Sequence, residues 1–305
     1  MLVAGIDAGG SKTECIIAES KKDKILTKTV GGPANYQIVG IEKACEEVKK
    51  TFLKAKKDVG IDEIPLLGVG LAGAGRKEDK KKLKNELSSK IKDTNIYLSD
   101  DAYIALLGAT GGRKGVIVIA GTGSIAYGLK NSGKKIRSGG WGPLIGDEGS
   151  GFWIGIEAIK SAIKAIENRG ENTLLVKSVK EEFSLDNFEE LIPFIYNDKL
   201  PRKKIARLVP EIFELAQKGD DVSKLIVQRA IDELISLSMS VVKKLDYKEN
   251  KIAVSGGLFN SKYFYNLYKK QLKKDYSLKT YKAKYSAAYG AVFFALNQIR
   301  SENNV

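Results

Sequence analysis

Histidine is missing from this chain altogether. Its absence removes Ser-His-Asp and Cys-His catalysis, histidine-ligated zinc and phosphohistidine transfer. Any acid–base chemistry falls to carboxylates, lysine or tyrosine. Thiols are nearly as scarce: Cys15 lies in an apolar run, Cys45 in a helical pattern, and there is no third. Both read as buried, reduced and inert, which fits a cytoplasmic protein. No apolar run approaches the roughly 18 residues of a membrane helix, so no membrane span is expected. The opening MLVAGIDAGG has no basic region ahead of its apolar residues, so no signal peptide is expected either. Only 6 prolines interrupt 305 residues, of which 43% are hydrophobic, enough for one large core or two medium ones.

Positive charge is in excess. Lys and Arg number 51 against 37 Asp and Glu, a formal net charge of +14. The lysines are spread over helical segments such as KKTFLKAKKD and KEDKKKLKNELSSKIKD and are mixed with acids. There is no basic stripe with interleaved aromatics, so the reading is a solvated surface that attracts anionic small molecules, with no nucleic-acid partner.

The stretch VAGIDAGGSKTECIIAE has a loop close to a P-loop, but with one residue too many. A P-loop runs Gly, four residues, Gly-Lys-Ser/Thr. Gly5 and Gly10 have that spacing, yet Ser11 precedes Lys12-Thr13. A P-loop must also open into a helix. Here LVAGID and TECIIAES both read as strands, a KKDK turn follows, and ILTKTVG is a third strand. The glycines therefore sit in a β-hairpin. A helix at 40–57, a buried strand from 65, a helix at 77–92, a strand at 95–101 and a helix at 102–110 complete a βββαβαβα order, a mixed α/β sheet with helices on its faces. At 116 the pattern restarts. GVIVIAGTGSIAYGLK is again strand, glycine turn, strand, and KKIRSGG is a third strand or loop, so the hairpin unit is repeated. Residues 152–246 read as largely helical, followed by a strand at 251, a Gly-Gly turn, a helix, a last strand and a closing helix at 286–300.

Two glycine hairpins facing each other would cradle a polyphosphate, because glycine lets backbone N–H groups approach phosphate oxygens. Gly9 and Gly10 belong to one turn, Gly121 and Gly123 to the other, with Ser11, Thr13, Thr122 and Ser124 as hydroxyl donors. Asp7 ends the first strand and would face the same phosphates. A bare carboxylate there is repulsive, so Mg²⁺, held mainly through water, is expected between them. Asp100 and Asp101 end a strand at the carboxyl edge of the first sheet, where ligands bind in open α/β folds. One of them can act as general base for a hydroxyl that attacks a γ-phosphate. Asp100 suits a helix N-cap, which leaves Asp101 as the expected base. The loop SGGWGPLIGDEGSGFW joins Trp141 to nearby acids, an apolar face beside hydroxyl acceptors that suits a sugar.

The motifs Asp7-x-Gly-Gly-Ser-x-Thr, LAGAG at 71–75, AGTGS, VSGGL and AAYGA resemble the phosphate-1, first connector, phosphate-2, adenosine and second connector motifs of the sugar kinase/Hsp70/actin superfamily. Within it the chain resembles the N-acetylglucosamine kinase family, which groups with the BadF/BadG/BcrA/BcrD ATPase family. GGWGPLIGDEGSGFW is the most specific piece, and the motifs run from residue 5 to 290. The resemblance implies two ribonuclease-H-like, actin-like ATPase domains with an interdomain cleft, residues 1–113 with 287–305 forming one and 114–286, with a helical insertion, the other. It implies an ATP-dependent kinase acting on the 6-hydroxyl of an amino sugar, with Asp101 as base. The doubled aspartate leaves the base open by one position. Asn35 would bind the sugar, and Gly140, Trp141 and Asp147 would shape its pocket, Asp147 accepting from hydroxyls. Gly256 and Gly257 would lie against the adenosine of ATP, with Ser11, Thr122 and Ser124 on the phosphates. N-acetylglucosamine, glucosamine, glucose and N-acetylmuramate all suit such a site, and a homodimer is common among related kinases. A cysteine-ligated iron–sulfur activator is disfavoured, because no cysteine follows Cys45. The zinc motif of ROK-type kinases is absent for want of His and late Cys.

Overall fold

A computed structural model describes residues 1–20, 24–130, 133–196 and 202–302. Apart from Lys24, the expected KKDK turn lies outside them, as do residues 197–201 between two expected helices. Strands β1 (Leu2–Ala8), β2 (Thr13–Glu19) and β3 (Lys24–Gly31) form an antiparallel meander. After a single helical turn, α1 (Tyr36–Val39), and α2 (Ile41–Val59), strand β4 (Leu66–Leu71) joins β1 in parallel. Helix α3 (Lys77–Lys90) leads to β5 (Asn95–Asp100), parallel to β4, and α4 (Asp101–Thr110) follows without a break. The sheet order is β3-β2-β1-β4-β5.

The inner strands are mostly apolar because both of their faces are covered, with Asp7, Thr13 and Glu14 as the exceptions at the glycine-turn end. One face packs Ala4, Ile6, Ile17, Leu67 and Val69 against Val48 and Phe52 of α2 and Leu83 of α3. The other packs Val3, Ile16 and Leu66 against Ala288, Tyr289 and Val292. These last three belong to the closing helix, Ala287–Glu302, which belongs with this first half of the chain. Its run of small residues has a physical reason. A methyl on Gly5 or Gly68 would run into the backbone carbonyl of Ala288 or Ala291, and one on Gly290 into that of Ile104.

The second sheet repeats the plan. Strands β6 (Gly115–Ala120), β7 (Ser124–Leu129) and β8 (Lys135–Gly139) are followed by helices α5 (Gly151–Ile166), α6 (Leu175–Phe183), α7 (Leu191–Tyr196), α8 (Arg202–Ala206), α9 (Val209–Lys218) and α10 (Asp221–Leu245). Strand β9 (Lys251–Ser255), helix α11 (Lys262–Tyr276) and strand β10 (Lys279–Lys282) complete it, and the chain then returns to the first unit as the closing helix, α12. The order is β10-β9-β6-β7-β8. The segment read as strand or loop near 135 is a strand. Two compact units result: residues 1–117, 128–135 and 282–305, and residues 118–127 and 136–281.

Candidate active site

In the first unit the parallel register brings the acids together. Asp7 pairs with Gly70, and Leu71 with Asp100, so the carboxyl ends of β1, β4 and β5 lie level along one edge. The strand stops at Asp100 because its side chain turns the chain into α4, accepting the Tyr103 N–H at 2.9 Å as the N-cap. Its other carboxylate oxygen lies 3.4 Å from Lys80. Asp101 is therefore the first residue of the helix, and its carboxylate accepts the Ala102 N–H at 2.9 Å. Burial, with Asp100 adding to it, pushes Asp101 up to about 6. Asp7 is pushed up to about 7, mainly by burial and then by the charges of Asp101 and Glu14.

Sequence reasoning passed over Glu14. It is a buried acid opposite Asp7 on β2, held between Lys12 and Lys28 at 3.0 Å each. Burial opposes its charge, but the two ammonium groups outweigh this and hold Glu14 below the usual carboxylate range. The available signal was a charged residue inside the apolar run TECIIAE.

The Gly9–Gly10 turn is closed by the Gly9 N–H on the Lys12 carbonyl at 3.0 Å, while the Gly9 carbonyl accepts from Ala34 at 3.0 Å. That second bond carries Asn35 to the turn, where Gly10 faces its side chain. Asn35 caps α1 through its oxygen, which accepts from Gln37. Thr13 is buried, with its hydroxyl donated to the Gly32 carbonyl at 2.8 Å. Lys135 lies 3.5 Å from the ring centroid of Tyr103, with its ammonium pKa lowered chiefly by burial.

In the second unit the Gly121–Ser124 turn is knitted to the loop that follows β8. The Gly121 N–H donates to the Gly123 carbonyl, and the Gly121 and Thr122 carbonyls accept from Gly151 at 2.8 Å and Phe152 at 3.3 Å at the start of α5. Ser124 donates its hydroxyl to the Glu148 carbonyl at 2.6 Å and accepts at its own carbonyl from Gly140 at 2.9 Å. Ser150 caps α5. Gly140 has φ +70°. Trp141 is exposed, with the Arg137 guanidinium 4.8 Å from its ring centroid. Asp147 is buried at φ +59°. Its carboxylate meets the Ser124 N–H at 3.4 Å and Arg202 Nη2 at 2.9 Å. Burial raises its pKa, against the opposing pull of Arg202 and of backbone N–H groups. Gly256, at φ +100°, lies so close to the Ala120 carbonyl that no side chain fits, and Gly257 follows beside Gly121. The AGTGS and VSGGL segments thus meet at the end of β6. Nothing in the sequence pointed to Arg202, one cation in a run of four basic or proline residues.

Among the described residues no cluster of three or more His, Cys, Asp or Glu side chains is arranged to cage a metal. Asp7 suits a cation that keeps most of its water, since its charge is opposed by burial and by neighbouring acids and a divalent ion would relieve both.

The chain is 37% identical over 302 residues to the N-acetylmuramic acid/N-acetylglucosamine kinase of Clostridium acetobutylicum, covering 97% of this chain and 98% of that one. It is 34% identical to the N-acetyl-D-glucosamine kinase of Dictyostelium discoideum, over 96% and 97% of the two chains. A ROK family glucokinase from Streptomyces griseus, solved with glucose and AMPPNP, superposes with a TM-score of 0.62 at 15% identity, covering 97% of this chain and all of its own. That likeness concerns the fold alone, and with the two βββαβα sheets it identifies a pair of ribonuclease-H-like domains. Residues 4–295 match the BadF/BadG/BcrA/BcrD ATPase family, and the chain belongs to it.

Proposed function

We propose that the protein is an ATP-dependent kinase that phosphorylates the 6-hydroxyl of N-acetylglucosamine. Membership of an ATPase family goes with ATP as donor, and two near full-length relatives are named as kinases of this sugar or its muramic acid derivative. The observation that carries the reading is Asp101. It stands at the strand-to-helix step of an α/β sheet edge, with its pKa raised to about 6 by burial. That value leaves it ionised at neutral pH and still basic enough to take a proton. Asp100 is occupied as a helix cap, so the base falls on Asp101.

In this reading Asp101 accepts the proton of the sugar 6-hydroxyl as the oxygen attacks the γ-phosphorus, and the bond from that phosphorus to ADP breaks. Asn35, Gly140 and Trp141 orient the sugar; Asp147, expected to accept from its hydroxyls, is buried with its two carboxylate oxygens on Arg202 and Ser124 and shapes the loop instead. Gly10 and Ser11 in the first unit, and Thr122 and Gly123 in the second, present N–H and hydroxyl groups to the phosphates, while Gly9, Thr13, Gly121 and Ser124 spend theirs within the fold and shape the two turns. Gly256 and Gly257 leave room for adenosine. Asp7 is the residue that would hold Mg²⁺ through water, which supplies charge neutralisation on the phosphates. Residues 1–113 with 287–305 carry the acids, and 114–286 the second phosphate turn. The cytoplasm supplies ATP and keeps Cys15 and Cys45 reduced.

The test is ADP release measured with N-acetylglucosamine, glucosamine, glucose and N-acetylmuramate, with the product phosphate located by NMR. Turnover on N-acetylglucosamine at O6, lost in Asp101→Ala, is expected. Folded, nucleotide-binding protein that releases no ADP with any of the four sugars would refute the assignment.

A further inference from the structure

Arg202 reaches the second phosphate turn from far along the chain. It begins α8, 55 residues after Asp147 in sequence. Its Nη2 lies 2.9 Å from one Asp147 carboxylate oxygen, and the other oxygen of that carboxylate accepts from the N–H of Ser124. The carboxylate also lies against Gly123, where a methyl group would meet Asp147 Oδ2 at 2.8 Å. One side chain therefore links a helix of the insertion to two residues of the AGTGS turn.

Three features make this link more than a surface ion pair. Asp147 is only 4% exposed, so its charge is countered by protein groups instead of water. It also holds a left-handed backbone conformation, which aspartate tolerates better than most side chains and which turns its carboxylate towards the Gly123–Ser124 backbone. Arg202 Nε is buried with no acceptor among the described residues. A guanidinium placed with one donor unmet is held there by what its other donors do. The platform beneath it is firm. Gly155 of α5 lets the Ile205 carbonyl of α8 approach closely, and Gly151 of the same helix donates to Gly121. The turn and the arginine are thus anchored to one helix.

We propose that Arg202 is a positioning residue for phosphoryl transfer, acting through Asp147 to fix the Gly121–Ser124 turn in its phosphate-binding shape. This rests on the kinase reading above, in which that turn receives ATP. Arg202 touches no substrate. Its effect is to fix the backbone of Gly123 and of Ser124, whose N–H Asp147 holds, so that the turn needs no reorganisation when phosphate binds. Asp147 links the sugar-side loop to the phosphate turn, and Arg202 fixes that link.

The test compares Arg202→Ala, Arg202→Lys, Asp147→Asn and the Asp147→Asn/Arg202→Ala double variant by calorimetric titration with Mg·ATP in the absence of sugar, by steady-state kinetics and by thermal melting. Arg202→Ala should weaken Mg·ATP binding and raise its KM by about tenfold. Arg202→Lys, which restores the charge, should recover most of this. The double variant should be no worse than the weaker single one, because both act through one link. An Arg202→Ala protein whose melting temperature falls while its Mg·ATP affinity stays within twofold of wild type would overturn the proposal, since the residue would then only stabilise the fold. If Arg202→Ala does not fold, unchanged affinity in Arg202→Lys and Asp147→Asn together would overturn it equally. Wild-type protein that binds Mg·ATP but phosphorylates no sugar would refute the kinase assignment, and the binding comparison would still judge Arg202.

Discussion

Asp101 titrates at about 6 because burial, and next the charge of Asp100, oppose its ionisation. A general base must be ionised, so kcat/KM should fall about tenfold per pH unit below that value and level off above it. Asp101→Asn should lie lower by 10²–10⁴-fold, the usual worth of a positioned base, and show no such limb. A pH–rate profile of the two proteins decides, and an Asn variant with the wild-type limb would dismiss Asp101 as the titrating group. Asp7 makes a different prediction, about stability. Its folded value of about 7 stands above the ordinary 3.8, so the folded state binds a proton over that window when the unfolded state does not. The Asp7 contribution to stability without ligand then falls as pH rises from about 4 to about 7, and is lowest when Asp7 is fully charged. Asp7→Asn removes the buried charge. Its melting temperature at pH 8 without nucleotide should rise by about 2–6 °C, and its stabilisation by Mg·ATP should shrink. A variant that melts lower than wild type at pH 8 would show that the Asp7 charge is not a burden on the empty fold.

At the scale of elements, the packing of α12 depends on what is missing from three glycines. A β-carbon on Gly290 would occupy the position of the Ile104 carbonyl in α4, a backbone atom that cannot swing away. Gly290→Ala should therefore cost about 3 kcal/mol or more by overpacking, a fall of about 6–12 °C for a chain of this size. Gly257→Ala, where a methyl meets nothing within 4 Å, should melt like wild type. Equal melting of the two variants would show that α12 and α4 are not in close contact. The same elements show what a sequence can reveal. Both hairpins, the βββαβα order of each half and the closing helix were readable, because apolar runs punctuated by glycine carry a local period. The Asp100 cap was readable too, since it depends on the residues that follow it. Arg202 and Lys135 were not. Each is one cation among many, and what sets it apart is a partner 55 or 32 positions away, Asp147 or Tyr103, which no local pattern records. Asn35 became legible in structural terms only once the Gly9–Ala34 bond carried it to the first turn.

For the whole molecule the dominant quantity is the net charge of +14. Many lysines pair with acids one helical turn away, as Lys90 with Glu86 and Lys177 with Glu181, and these pairs cancel at a distance. The surplus does not cancel, and it sets a positive long-range field. A field of that sign draws in Mg·ATP, which is anionic, and leaves a neutral sugar unaffected. Salt screens it, since the Debye length falls from about 30 Å at 0.01 M to about 8 Å at 0.15 M. The KM for Mg·ATP should therefore rise severalfold between those ionic strengths, while the KM for N-acetylglucosamine stays within twofold. The contrast matters because a general effect of salt on the fold would move both. N-acetylmuramate supplies a second control, since its lactyl carboxylate makes it an anion of similar size. If it is accepted, its KM should follow the nucleotide and not the neutral sugar. Parallel salt curves for Mg·ATP and N-acetylglucosamine would mean that the excess lysine serves solvation alone.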